Sequence, residues 1–145
     1  MKGLYALELS HDSLEHILQT VIIPPLRKEV TLLEFAETLF LKTVRDTKMA
    51  DTVISEVADN WDIKRIALVD KMILRMAVCE IIHFEDIPTR VTINEAIEIA
   101  KNFSTPKSGT FINGILDAAC NKLIQEEKVN KQGIGLLEEP IKPKS

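Results

Sequence analysis

Apolar side chains recur along most of this chain every three or four residues, the spacing that places them on one face of an α-helix. Val69, Met72, Ile73, Met76, Ala77, Ile81 and Phe84 form one such stripe. Ile93, Ala96, Ile97 and Ala100 form a second, and Phe111, Ile112, Ile115, Leu116, Ala119 and Leu123 a third. Leu32 to Val57 reads as one long helix, with Leu33, Ala36, Leu39, Phe40, Val44, Val53 and Ile54 pointing inward. Leu14 to Val21 is a shorter amphipathic stretch. Pro24-Pro25 ends it, because proline cannot continue the hydrogen-bond ladder. The pattern predicts six or seven helices and no strand, an all-α fold.

Local signals mark where these helices begin. Thr92-Ile93-Asn94-Glu95 reads as a capping box, in which the threonine hydroxyl takes one free amide and Glu95 reaches back to another. Thr105-Pro106 sets a cap residue before a proline at the first helical position. Asn60 or Asp62 can cap a helix that starts near Ile63, and Pro88 marks a loop. Trp61 lies between a helix end and a cap, so its ring is expected to pack where the two halves of the molecule meet, about residues 1–60 and 61–127. Beyond Lys128 the apolar pattern stops, and Gly133, Gly135, Pro140 and Pro143 break any helix. Residues 128–145 are therefore expected to form a mobile tail.

The length of 145 residues is enough for one self-sufficient core. No apolar run reaches the ~20 residues of a membrane span. Cys79 and Cys120 are far apart, without metal-ligand spacing, and read as buried free thiols. A reducing, cytoplasmic setting is the expectation. The net charge is −4. Six Lys/Arg against ten Asp/Glu in residues 1–60 supply all of it, since the remaining charges balance. Such a chain is a poor nonspecific ligand for nucleic acid.

No catalytic constellation is apparent. His11, His16 and His83 sit in different segments, and no glycine-rich loop could cradle a phosphate. The expectation is a protein without enzymatic activity, metal or cofactor. Glu80 lies beside an inward stripe, so its carboxylate needs a partner. The start of the next helix at Asn94 and Glu95, or Arg75, could supply one. Gly114, inside the last helix, costs about 1 kcal/mol relative to alanine. Either close helix packing or close approach of an RNA backbone could compensate.

Three segments in order carry a resemblance. Ile73-Leu74-Arg75-Met76-Ala77 with Glu80 comes first, then Ile93-Asn94-Glu95-Ala96-Ile97-Glu98-Ile99-Ala100-Lys101, then Phe111-Ile112-Asn113-Gly114-Ile115-Leu116-Asp117. Their order and spacing resemble the NusB family of transcription antitermination factors, over about Leu4 to Gln125. The resemblance implies two packed three-helix units and a non-enzymatic adaptor. It implies two partners, boxA-type RNA and the small-subunit ribosomal protein NusE, with RNA polymerase engaged indirectly. It assigns RNA contact to Tyr5, Lys107, Phe111 and Asn113. It assigns the protein contact to Asp70, at the acidic position the family turns toward its basic partner. Arg75, Glu80, Asn94, Glu95 and Gly114 take structural roles.

The chain departs from the family at both RNA elements. Thr110 stands where the K-F-[VI]-N-G segment has lysine, and only Met1, Lys2 and Gly3 precede Leu4, where the family carries an arginine-rich stretch. Two readings stay open: a basic segment encoded upstream, or a NusB-fold protein-interaction module with weak or no RNA binding. An appendage of an rRNA methyltransferase is a third, requiring a catalytic domain elsewhere.

Overall fold

One segment is apolar on almost every side, and this decides what lies at the centre. Met72, Ile73, Leu74, Ala77, Val78, Cys79 and Ile81 are all buried. They belong to a single helix, Leu68–His83. The predicted stripe accounts for Met72, Ile73, Ala77 and Ile81. Leu74 and Val78 lie off that stripe and are fully buried as well, because neighbours cover more than one face.

The computed structural model describes residues 1–4, 6, 30–58, 66–105 and 107–132. Among these, five α-helices follow in order: α1 (Val30–Arg45), α2 (Thr47–Val57), α3 (Leu68–His83), α4 (Thr89–Phe103) and α5 (Ser108–Gln125). Lys2–Leu4 are also helical, and no described residue is in a strand. Helix α3 packs against α1, α2, α4 and α5, and α4 and α5 pack closely on each other. The main core joins Ile54 of α2, Ile73 and Val78 of α3, Ala96 and Ala100 of α4, and Ile112, Leu116 and Leu123 of α5. A smaller cluster joins Leu4, Phe40 and Met72. The fold is all-α, as the periodicity predicts. The readings at Leu14–Val21, Pro24-Pro25, Asn60–Asp62, Pro106 and residues 133–145 fall outside the described residues.

Three expectations are corrected. The single helix over Leu32–Val57 is two, broken at Asp46, whose backbone sits at φ −104°, ψ 21°. The Asp46 side chain accepts from Nε and a terminal nitrogen of its neighbour Arg45 and is bonded from α3 by His83 Nε2 at 2.6 Å. Thr43 and Thr47 donate their hydroxyls back to the carbonyls of Leu39 and Thr43, a habit that bends helices.

Helix α4 begins at Thr89, not at Thr92. Thr92 is buried in the first turn and its hydroxyl caps no amide, so the capping box does not form.

The start of the tail is anchored. Gln132 N–H donates to the Glu85 carbonyl at 2.9 Å, Lys131 Nζ donates to the Phe84 carbonyl at 2.7 Å, and Val129 packs on the core. The sharp exit from α5 makes this possible. Glu127 takes φ 57°, so Lys128 N–H can donate to the Leu123 carbonyl at 2.9 Å.

A candidate RNA-facing site at the start of helix α5

The chain enters α5 through a cluster of hydroxyls. Ser108 Oγ donates to Asp70 Oδ2 on α3 at 3.0 Å. A hydroxyl has one hydrogen and two acceptor sites. With its hydrogen committed to Asp70, Ser108 Oγ accepts from Ser104 at 2.9 Å and from Thr105 at 3.0 Å. The Thr105 carbonyl accepts the Ser108 N–H at 3.0 Å. Thr105 thus joins the helix start through its backbone and through Ser108, not as the predicted amide cap. Lys107, in helical backbone conformation, occupies the cap position without a side-chain bond.

Asp70 is only 6% exposed. Asp70 lies in the first turn of α3 and bonds the first residue of α5. A helix N-terminus carries partial positive charge and welcomes an anion; here the protein supplies that anion itself. Its second oxygen, Oδ1, is buried without a hydrogen-bond partner.

Asp70, Ser108, Thr105, Lys107 and Phe111 line a shallow hollow of about 200 Å³, closed by Ile66 and Ala67. Lys107 is exposed, Phe111 half-buried, and Asn113 and Gly114 exposed. Lys107 caps α5, and Phe111 and Asn113 lie in its first two turns. Tyr5 lies outside the described residues. A Cβ added at Gly114 would meet nothing within 4 Å. The close-packing explanation for this glycine is thereby excluded; the position faces open space.

The structural residues part company with their expected partners. Arg75 bonds Asp51 of α2 through Nε at 2.7 Å and a terminal nitrogen at 2.8 Å, not Glu80. Asn94 and Glu95 are exposed and do not tie Glu80 down. Burial pushes the Glu80 carboxyl above its ordinary range, with the nearby Thr92 hydroxyl opposing and Glu95 adding to the rise. Glu80 borders a larger, mostly apolar hollow of about 310 Å³ between the N-terminal residues, α1, α3 and α4, apart from the site at α5. Sequence spacing could not have found the Ser108–Asp70 bond, because 38 positions separate the two residues.

Among the described residues no group of histidine, cysteine and acidic side chains could hold a metal. No helix there is long and apolar enough to cross a membrane. Burial pushes the Cys79 thiol up to about 11, so it is a packing group and not a nucleophile. Cys79 and Cys120 are both buried and not joined in a disulfide.

The family model described as "NusB family" matches residues 1–121. The chain belongs to the NusB family. It is 44% identical over 137 residues to the transcription antitermination protein NusB of Salinibacter ruber, covering 94% of this chain and 86% of that one. It is 36% identical to the protein of the same name from Chloroherpeton thalassium, over 98% of this chain and 67% of that one. The solved structure of T. maritima NusB superposes with a TM-score of 0.78 at 36% identity, covering 88% of this chain and 89% of that one.

Proposed function

We propose that this chain is a transcription antitermination factor that acts as a non-catalytic adaptor, holding boxA-type RNA together with the ribosomal protein NusE. The observation that carries the reading is the open end of α5. Exposed Lys107 supplies charge for a phosphate. Half-buried Phe111 offers a ring edge or face to a base. Exposed Asn113 and the empty space over Gly114 let an RNA backbone approach the helix closely. NusE is proposed to dock beside this surface, on the side of α3 that carries Asp70. Together the two proteins grip RNA that this chain alone holds weakly.

A specific observation favours a second reading, that of a protein-interaction module with little RNA affinity. The chain carries −4 net charge and Thr110 in place of the family's lysine. Few phosphate contacts mean little counterion release and weak binding.

Fluorescence anisotropy with boxA-type RNA, at several salt concentrations and with and without NusE, separates the two. The adaptor reading expects weak binding alone and at least tenfold stronger binding with NusE. It also expects Lys107→Ala to lower the salt slope by about one unit. No RNA binding under any of these conditions would leave the interaction module.

A further inference from the structure

Phe103, the last residue of α4, is 49% exposed. The Lys2 ammonium stands over its ring, 5.5 Å from the centroid. The next hydroxyl along the chain, that of Ser104, bonds Ser108 Oγ at 2.9 Å, so the end of α4 is tied to the start of α5. Phe103 and exposed Lys107 flank that tie. Four residues apart, they are separated by no more than about 14 Å even in extended chain. The exposed ring is therefore continuous with the open end of α5.

The charges narrow what the ring meets. Among the described residues no salt bridge engages Lys2 or Lys107, so both are available to an anion. The C-terminal end of α4 carries partial negative charge. Lys101 in its last turn and Lys2 offset this, although Lys101 is shared with Glu98 at 3.5 Å. A basic protein surface is repelled by the two lysines. An acidic peptide would use the lysines and leave the ring idle. A flat exposed ring set among cations suits a strand that alternates bases with phosphates.

We propose that the RNA surface continues from α5 onto the end of α4, where Phe103 stacks one base of the same strand and Lys2 holds a phosphate beside it. The proposal rests on the RNA-binding reading and adds to it a second aromatic platform besides Phe111. Every base has a π-face, so this contact lengthens the footprint without reading sequence. In the free protein Lys2 rests on the ring. A cation–π contact at an exposed site is weak, and the flexible lysine stem lets the ammonium turn to a phosphate when the base arrives.

The experiment uses the full chain with NusE and boxA-type RNA extended by three nucleotides at each end. One base at a time is replaced by 2-aminopurine, whose fluorescence is quenched by stacking, and affinity is read by anisotropy. One position is expected to be quenched in the wild-type complex, to stay quenched with Phe103→Tyr, and to brighten with Phe103→Leu. The leucine variant is expected to bind about tenfold more weakly. If Phe103→Leu does not fold, Phe103→Met takes its place. Lys2→Ala is expected to lower the salt slope by about one unit. A loss below threefold with no position that brightens, while Lys107→Ala still weakens binding, overturns the stacking contact and leaves the RNA reading intact. Absence of any RNA binding overturns both. Calorimetry covers the other class of occupant. If Phe103→Leu loses affinity for NusE in the absence of RNA and no position brightens, the ring serves the protein partner and the proposal fails.

Discussion

Arg75 and Asp51 form a two-pronged ion pair that fastens the central helix to α2, with nitrogen–oxygen distances of 2.7 and 2.8 Å. The guanidinium side chain is 12% exposed and the carboxylate 30%. Removing one member leaves a largely buried charge unpaired, which costs more than the pair itself contributes. Asp51→Ala is expected to lower stability by about 1–3 kcal/mol in a urea melt. A loss under ~0.5 kcal/mol would mean that water satisfies Arg75.

Asp70→Lys tests burial at the candidate site. A lysine there replaces an accepted hydrogen bond with a second donor facing Ser108 and places a cation at the positive end of α5. Stability is expected to fall by about 3 kcal/mol or more. A melting curve within ~0.5 kcal/mol of wild type would show that the position is solvated.

Asp46 predicts how the protein responds to acid. The Arg45 guanidinium, and after it His83, lower its carboxyl from 3.8 to about 2. A folded pKa below the unfolded one stabilises the native state above the unfolded value. That contribution disappears as pH falls from about 4 to about 2. Arg45 is 60% exposed in its pair with Asp46, so solvent screening keeps the contribution to ~1 kcal/mol at most. Urea melts of wild type and Asp46→Asn should differ at pH 5 and converge toward pH 2. A constant difference would place the origin elsewhere.

Glu80 carries the opposite sign. Its folded pKa lies above the ordinary 4.5 because burial disfavours the charged form. It therefore favours folding below that value and weakens it as pH rises through the shifted pKa. Glu80→Gln is expected to be more stable than wild type at pH 7, with the advantage gone at pH 4. Equal stability of the two proteins at both pH values would show that the carboxylate is fully hydrated.

Glu127 holds a left-handed backbone at φ 57° where α5 ends. Glycine enters this region without the clash of a Cβ. Glu127→Gly is expected to raise stability by ~1 kcal/mol, read from the urea midpoint at unchanged slope. A decrease would show that the side chain contributes more than the strain costs.

Helical spacing in the sequence was enough to place α3, α4 and α5 and most of their buried residues. Period and apolarity are local properties, and Ile112, Leu116 and Leu123 obey them without reference to anything distant. The three ordered segments around Arg75, Glu95 and Asn113 were likewise enough to mark the family. The same information failed where the outcome depended on a neighbour. At the helix break, Asp46 is bonded by His83, 37 residues away. Arg75 chose Asp51 over Glu80 because α2 packs beside α3, and no spacing within α3 reports that. Periodicity names the face a residue occupies, but not what covers that face. The burial of Asp70 was not legible in the sequence; the tertiary fold brought Ser108 and the positive end of α5 against it, and those groups made its burial tolerable. Gly114 shows the converse. Its place inside a helix was legible, while the open space over it was decided only by where the other helices do not reach.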